Sequence, residues 1–115
     1  MSDLGTIQKK ILSFRNERDW AQFHDTKNLA EALSIEAGEL LESVLWKTTE
    51  QSRNLSAEEL KNVKEELADI FIFLTYLSEE YKIDLLKEVW SKIAQNASKY
   101  PVEKAKGSNR KYTSL

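Results

Sequence analysis

Apolar residues recur at intervals of three or four along most of this chain, a spacing that predicts amphipathic helices. A first helix is expected from about Leu4 to Trp20, because Ile7, Ile11 and Phe14 share one face. The stretch that follows, RDWAQFHDTKN, breaks the pattern. We interpret it as the connection to a second helix.

The second helix is expected over residues 28–46, NLAEALSIEAGELLESVLW, with Thr26 or Asn28 as its N-cap. The polar run KTTEQSRN interrupts the pattern again. After it, Ser56 and Glu59 have the spacing of a capping box, in which each side chain bonds the backbone N–H of the other. This pair predicts the start of a third helix.

The third helix contains LADIFIFLTYL, residues 67–77, which is apolar nearly all the way round. A helix of that kind is buried on more than one side. Four helices of a 115-residue monomer would struggle to cover it completely. We therefore expect a homo-oligomer, either a dimer or a dimer of dimers, with this helix at or near the interface.

A fourth helix is expected between an N-cap at Asp84 and the break at Pro101. The last ten residues, KGSNRKYTSL, lack periodicity and predict irregular structure. The pattern as a whole predicts an all-α fold, a four-helix bundle completed by homo-oligomerisation. We divide the chain into a helical domain at residues 1–100 and a basic C-terminal tail at residues 101–115.

The composition agrees with a helical protein, since there are only three Gly and one Pro. The absence of cysteine excludes disulfides, thiolate metal sites and cysteine nucleophiles. The first residues contain no long apolar run, so we expect neither a signal peptide nor a membrane span. These features together favour a cytoplasmic location.

Charge is distributed unevenly along the chain. The total is −2, but the residues from Lys99 onward carry +4, which leaves −6 on the preceding residues. An acidic body with a basic tail suits a ligand that is itself a metal-bound polyanion, although a solvated terminus would have the same composition. The basic residues form no recognisable motif for reading bases, so we expect no nucleic-acid partner.

Two pairs of acids lie beside apolar residues in the second and third helices. Glu36 occupies a place within an apolar stripe, and Glu39 lies on its flank; Glu66 and Asp69 repeat the arrangement. Acids three residues apart project from one face of a helix. If these four acids pack together, they repel one another unless a hard cation such as Mg²⁺, which prefers oxygen ligands, neutralises them. The pattern therefore predicts a magnesium site.

Two alternatives to a magnesium site come from the same residues. E-x-x-E spacings arise by chance in a chain with 19 acidic residues, so the acids could form a partly exposed edge of a bundle. A carboxylate-bridged di-iron centre needs Glu-x-x-His pairs from two helices. The single histidine, His24, lies in a connection, and we discount the iron centre on that ground.

The segments EAGELLE and EELADI resemble the E-x-x-E and E-x-x-D signature of the MazG-like nucleoside triphosphate pyrophosphohydrolases, an all-α family. The segments FRNERDWAQFH, LWKT, SKIAQNASKYP and RKYTSL are similar to the branch of that family that acts on dCTP. The resemblance extends from about Phe14 to the last residue. Many members have a second glutamate before Glu36, whereas this chain has Ile35, a difference that fits the dCTP branch.

The resemblance implies that Glu36, Glu39, Glu66 and Asp69 bind Mg²⁺. It also implies hydrolysis of a (deoxy)nucleoside triphosphate to the monophosphate and pyrophosphate. Glu65 could orient or deprotonate the attacking water, or it could simply face solvent. The chain offers no obvious nucleophile, which agrees with a reaction that depends on positioning and charge compensation.

The same resemblance implies a base pocket lined by Trp20, His24 and Trp46. An indole face stacks on any base, so His24 or Asn28 would supply selectivity through hydrogen bonds. Each residue also has a purely structural interpretation. Trp46 could fill the core, Trp20 could pack against the end of the first helix, Asn28 could be a cap, and His24 could be an ordinary surface residue.

A polar ridge on the fourth helix is the expected clamp for the triphosphate, because three of its members follow i, i+4, i+7 spacing. Two residues of the tail are possible additions that could reach a neighbouring subunit. An exposed helix face is the alternative. The expected members are Lys92, Asn96, Lys99, Tyr100, Lys111 and Tyr112.

These expectations combine into a Mg²⁺-dependent pyrophosphohydrolase that removes dCTP or modified pyrimidine dNTPs from the nucleotide pool. One alternative is the same reaction with a purine substrate such as dATP. Another is a non-catalytic, oligomeric helical module whose acids keep it soluble. Glu36 discriminates between the enzyme and the module, because removing an uncompensated inward charge would leave a structural bundle unharmed.

Overall fold

The computed structural model describes residues 3–115, and these residues form helices and no strands. The all-α prediction is confirmed, whereas the predicted count of four helices is wrong. The described residues form two compact units, 3–82 and 83–115. The tail boundary after residue 100 stays a prediction. The helices are α1 (Leu4–Glu17), α2 (Thr26–Val44), α3 (Thr49–Arg53), α4 (Ala57–Glu80), α5 (Leu85–Lys99) and α6 (Val102–Ala105), with 3₁₀ turns at Ala21–Phe23 and Tyr112–Ser114.

The starts of α4 and α5 have the side-chain caps that the sequence predicts. Ser56 Oγ accepts the backbone N–H of Glu59 at 3.1 Å, and Glu59 Oε1 accepts that of Ser56 at 3.0 Å. At the start of α5, Asp84 Oδ1 accepts the backbone N–H of Lys87 at 3.2 Å. Both predicted caps are confirmed, because such caps depend only on residues three apart.

The predicted cap of α2 is wrong. The N-cap is Asp25, whose Oδ1 accepts the backbone N–H of Asn28 at 2.8 Å. Thr26 and Asn28, the two candidates named from the sequence, both lie in the first turn of the helix. The polar first turn precedes the apolar stripe, so the stripe starts later than the helix.

Helix α1 ends at Glu17, three residues before its predicted end. The backbone N–H groups of Arg18 and Trp20 both donate to the carbonyl of Arg15 at 3.2 Å. Asp19 adopts a left-handed conformation with φ of 55°, which aspartate tolerates better than most residues. Trp20 therefore lies in the connection and not on the helix.

Two short helices account for the wrong helix count. Helix α3 forms within the run KTTEQSRN and begins with a second capping box, in which Thr48 Oγ1 and the backbone N–H of Gln51 are 3.1 Å apart. Helix α6 lies just after Pro101, where we predicted no helix, and the 3₁₀ turn at Tyr112–Ser114 lies in the last ten residues, where we predicted irregular structure. Segments of three to five residues are too short to show an apolar period, so the pattern did not predict them.

In the first unit, α2 packs along α4, and α1 contacts α4. The two longer helices are antiparallel. Lys47, just after α2, forms an ion pair with Glu59 near the start of α4. At the opposite end, the hydroxyl groups of Thr26 and Tyr81 are hydrogen-bonded. This pairing places the middle of α2 beside the middle of α4.

The single chain encloses little apolar surface. Within residues 3–115, the buried residues are Leu29, Thr75 and Tyr76. Leu67, in the apolar stretch of α4, keeps 52% of its surface exposed. Every position from 69 to 77 is half-buried or buried, so this part of α4 is partly covered on more than one side, whereas Leu67 at the start of the apolar stretch stays exposed.

The second unit contains the most amphipathic long helix. Helix α5 leaves the large apolar side chains of Leu86, Val89, Trp90 and Ile93 exposed. Its polar residues include the predicted phosphate ridge. Nowhere in residues 3–115 does a helix combine the length and the hydropathy needed to cross a bilayer.

Candidate metal centre

Three carboxylates meet where α2 and α4 lie side by side. Glu36 and Glu39 project from α2 and Glu66 from α4, and one oxygen of each lies within 4.8 Å of the others. Glu36 and Glu66 are half-buried, whereas Glu39 is exposed. The packing of the two helices thus brings three of the four predicted acids together.

The carboxylates of this cluster repel one another. The pKa of Glu36 is raised, first by its hydrogen-bonding contact with Glu66, then by burial and by the negative charges of Glu66 and Asp69. A hydrogen bond with Glu39 opposes the rise. Glu36 therefore holds a proton more readily than an ordinary glutamate does.

The donor set of the cluster fits a hard divalent cation. Oε2 of Glu36 and Oε2 of Glu66 are both buried and have no hydrogen-bond partner among residues 3–115. Buried carboxylate oxygens are costly unless something positive satisfies them. Mg²⁺ is a hard cation that prefers oxygen ligands, so a set of three carboxylates suits Mg²⁺ better than it suits softer metals.

The two remaining predicted acids differ in position. Asp69 is half-buried and close enough for its charge to raise the pKa of Glu36, but it is not among the three acids whose oxygens lie within 4.8 Å of one another. Glu65 is exposed and also lies outside that group. Both stay predictions, Asp69 as a metal ligand and Glu65 as a residue that orients water.

Trp20 and His24 lie in the connection before α2, and Asn28 lies in the first turn of α2. Trp20 is 43% exposed and packs its ring edge against Phe14, with centroids 5.7 Å apart. Both amide hydrogens of Asn28 are engaged, because its Nδ2 donates to the carbonyl of Phe23 and to Asp25, each at 3.1 Å. Asn28 therefore fixes the loop that carries His24 and keeps only Oδ1 free for a ligand.

Trp46 lies just beyond the other end of α2 and is 90% exposed. It borders an open cleft of about 890 Å³ that is otherwise polar, with Gln51 and Asn54 on its walls. The structural interpretation of Trp46 as a residue that fills the core does not hold in the single chain. An indole this exposed is available for contact.

The structure does not bring Trp46 together with the other predicted base-binding residues in one chain. At ~1.5 Å per residue, the ends of α2 are separated by roughly 27 Å. The acid cluster lies between them on the helix. A nucleotide bound through its phosphates at the cluster can extend its base towards one end of α2 only.

The predicted phosphate residues belong to the second unit. Lys92, Asn96 and Lys99 are exposed on α5. The tail folds back within this unit, so that the rings of Tyr100 and Tyr112 meet edge to face at 5.9 Å and the ammonium of Lys99 lies 5.0 Å from the centre of the Tyr112 ring. Lys111 precedes the 3₁₀ turn and is exposed. Their role as a clamp stays a prediction.

Sequence reasoning missed Tyr76, which we treated only as part of an apolar run. It is 4% exposed, and its ring lies against His24 with centroids 4.6 Å apart. The sequence did offer one signal for Tyr76, because this tyrosine carries a hydroxyl group and lies seven residues after Asp69 on the same helix. Nothing in a one-dimensional pattern indicates that His24, 52 positions earlier, contacts it.

Comparison with known proteins agrees with this fold. The family model described as MazG-like matches residues 32–115. The chain is 40% identical over 114 residues to "dCTP pyrophosphatase 1" of Homo sapiens, an alignment that covers 97% of this chain and 67% of the human protein. The protein of the same name from Bos taurus matches at 40% identity, with 97% and 68% covered.

A solved structure has the same fold. It is the crystal structure of a pyrophosphatase from Archaeoglobus fulgidus DSM 4304, with a TM-score of 0.81 and 31% identity. The match covers 88% of this chain and 94% of that one. Similarity of this extent places the chain in the class of nucleoside triphosphate pyrophosphatases, hydrolases that act on acid anhydrides. Within that class, the chain belongs to the MazG-like family.

Proposed function

We propose that this protein hydrolyses dCTP, or a modified pyrimidine dNTP, to the monophosphate and pyrophosphate with the help of Mg²⁺. The observation that carries the proposal is the acid cluster, whose buried oxygens on Glu36 and Glu66 lack partners in the described part of the chain. The names of the relatives support the choice of dCTP. Its role would be to clear unwanted nucleotides from the cytoplasmic pool.

The residues that would hold the cation are Glu36, Glu39 and Glu66, with Asp69 close by. When bound, Mg²⁺ neutralises the triphosphate and polarises the phosphorus that water attacks. The acids position that charge between two packed helices, so little reorganisation is needed during the reaction. Glu65, exposed beside Glu66, is the proposed residue for orienting the water.

The base would bind at the end of α2 that carries Trp20 and His24. Trp20 offers an exposed ring for stacking, and stacking alone does not distinguish the bases. His24 would add a hydrogen bond. Oδ1 of Asn28 is a further acceptor of the predicted set at this end, because the side-chain hydrogen bonds of Asn28 use its Nδ2.

We further propose that Trp46 acts on a base held by a second copy of the chain. One α2 helix separates Trp46 from His24 by roughly 27 Å, so the two residues can share a base only if two copies supply them. Exposed apolar residues are available for that association, namely Ile35 and Leu41 on α2 and Leu45 just after it. The proposed state is a dimer or a dimer of dimers.

A panel of all common dNTPs and NTPs, assayed with Mg²⁺ for pyrophosphate and orthophosphate, tests the proposal. We expect pyrophosphate as the first product and dCTP as the best substrate of the panel. Orthophosphate as the first product would overturn the reaction. A preference for dATP would favour the purine alternative instead.

A matched pair of variants tests the acid cluster. Glu36→Gln should lower turnover by about 100-fold or more, because a ligand of the charge-stabilising cation is lost. The control is Glu31→Gln on the exposed side of the same helix, where Glu31 pairs only with Lys27 at 3.6 Å. Wild-type turnover in Glu36→Gln would exclude the metal role and favour a structural bundle.

A further inference from the structure

A compact group of three side chains, which we call the His24 cluster, lies near one end of the α2–α4 pair. It consists of His24, Tyr76 and Arg15. The imidazole and the Tyr76 ring have centroids 4.6 Å apart and planes tilted by 42°. The guanidinium carbon of Arg15 is 5.8 Å from the centre of the same Tyr76 ring.

The two nitrogens of His24 have different surroundings. Nδ1 is buried and has no hydrogen-bond partner among residues 3–115. The neighbour that its ring rests against is the aromatic ring of Tyr76. An aromatic face is electron-rich, so it attracts an N–H group and repels a nitrogen lone pair. These surroundings favour the neutral tautomer with its hydrogen on the buried Nδ1, which leaves Nε2 as a bare acceptor.

Tyr76 is held firmly enough to impose this choice. Its side chain is buried, and its hydroxyl donates to the backbone carbonyl of Ile11 on α1 at 3.5 Å. Phe73, one turn earlier on α4, packs against it edge to face with centroids 6.3 Å apart. Burial, the packing of Phe73 and the hydrogen bond to Ile11 together restrain the ring beside His24.

The surroundings of His24 also keep the imidazole neutral. Burial lowers the pKa of His24, and the positive charge of Arg15 lowers it further, while Glu80 acts weakly in the opposite direction. A neutral ring has one donor and one acceptor, whereas a protonated ring has two donors. Only the neutral form can present an acceptor to a ligand.

The His24 cluster lies at a useful distance from the acids. Tyr76 is ten residues beyond Glu66 on α4, which corresponds to ~15 Å along the helix axis. The triphosphate and the base of a nucleotide are separated by a comparable length. A triphosphate at the acid cluster would therefore bring its base towards His24.

We infer that Tyr76 is a positioning residue that fixes the His24 tautomer with Nε2 as an acceptor, and so selects a base with an exocyclic amino group. Cytosine offers its N4 amino group as a donor, whereas uracil and thymine offer a carbonyl oxygen at that position. A bare Nε2 bonds the amino group and repels the carbonyl. The identity of the ligand in this inference rests on the proposed function, whereas the assignment of the tautomer does not depend on that function.

The first test is ¹⁵N NMR of the imidazole, which is unambiguous because His24 is the only histidine of the chain. We expect the wild-type protein, without ligand, to show the Nδ1–H tautomer. Tyr76→Phe keeps the aromatic face and should keep that tautomer. Tyr76→Leu removes the face, and the Nε2–H tautomer that free histidine prefers should return.

The second test is the ratio of kcat/KM for dCTP to that for dUTP, which a merely structural role of Tyr76 would leave unchanged. We expect the ratio in Tyr76→Leu to fall by about tenfold or more, the value of one good base contact. Tyr76→Phe should retain the wild-type ratio. Circular dichroism of each variant establishes that it is folded.

The Nε2–H tautomer in the wild-type protein would overturn the inference, and this measurement needs no variant to fold. An unchanged dCTP/dUTP ratio in folded Tyr76→Leu, or a wild-type preference for dUTP, would overturn it as well. Failure to release pyrophosphate from any dNTP would instead defeat the proposed function. In that event the NMR result still decides whether Tyr76 holds His24.

Discussion

Glu36 is held against other carboxylates by the packing of α2 on α4. Its raised pKa arises from Glu66 first, then from burial and from Asp69. A proton on Glu36 and a cation in the cluster relieve the same repulsion, so they compete for the same site. Several consequences of this competition are measurable.

Magnesium binding should strengthen as the pH rises. Since the pKa of Glu36 is raised above its ordinary 4.5, the metal-free cluster retains a proton at pH values just above that number. Binding of Mg²⁺ must expel it, so the apparent Kd should fall with rising pH over that window. Calorimetric titrations in buffers of different ionisation enthalpy would measure the released proton. A Kd independent of pH between 4.5 and 7 would contradict the expectation.

Removing the charge of Glu36 should stabilise the metal-free protein. A folded-state pKa above the unfolded one means that stability is greatest at low pH and falls as the pH rises through the folded value. At neutral pH we therefore expect Glu36→Gln to raise the free energy of unfolding by about 1 kcal/mol in EDTA. Mg²⁺ should raise the Tm of the wild type but not that of the variant. Glu31→Gln is the control and should respond to Mg²⁺ as the wild type does.

At the scale of the element, α4 depends on the arrangement at its first turn. Ser56 and Glu59 cap each other, and Glu59 also forms an ion pair with Lys47 at the end of α2. These contacts lower the pKa of Glu59 to about 2, with Lys47 as the largest cause. One residue thus both begins α4 and ties it to α2.

Loss of the cap should destabilise the helix measurably. Ser56→Ala leaves the backbone N–H of Glu59 without its side-chain acceptor, at a cost of about 1 kcal/mol in the free energy of unfolding. Urea denaturation at 25 °C is the measurement. Ser91→Ala, at an exposed position within α5, is the matched control and should change stability by less than about 0.5 kcal/mol. Equal effects of the two substitutions would argue against the cap.

The ion pair of Glu59 should change how the Tm of the protein depends on pH in acid. Because its folded pKa lies below the ordinary 4.5, the stabilisation is present above pH 4.5 and is lost as the pH falls towards about 2. Glu59→Gln keeps the capping hydrogen bond and removes the charge. Its Tm should therefore fall less steeply than the wild-type Tm between pH 4.5 and 2. Parallel profiles would show that the pair contributes nothing.

At the scale of the whole molecule, one chain leaves several large apolar side chains of its two longest helices uncovered. Leu67 remains half-exposed, Ile35 and Leu41 are exposed on α2, and Leu45 is exposed just after α2. Exposed apolar residues in this number favour an interface. The position of Trp46, at the opposite end of α2 from His24, gives that interface a role in the proposed site.

Mixing two inactive variants tests whether two copies share a site. Glu36→Gln supplies an intact Trp46, and Trp46→Ala supplies intact acids. If each site takes acids from one copy and Trp46 from another, random pairing should restore roughly a quarter of the wild-type sites. Each variant unfolded and refolded with itself is the control. Activity no greater than the sum of the two controls would place all the residues of a site in one copy.

The local features of this fold follow from residues close together in the chain. The spacing of Ser56 and Glu59 and the carboxylate at Asp84 predicted two helix starts correctly. The same logic missed Asp25, because the apolar stripe of α2 begins after the helix does. It also missed α3, whose five residues form no stripe.

The sequence by itself determined the helical class and the two acid pairs, because a spacing of three places both acids on one face of a helix whatever surrounds it. Only the tertiary structure decided that Glu66 joins Glu36 and Glu39 within 4.8 Å. It also decided that Tyr76 lies against His24. Trp46, at the other end of α2, is far from that pair. The reason is that contacts between distant positions depend on how α1, α2 and α4 pack together. Helical periodicity gives the face on which a side chain lies, but not the residue that this face meets.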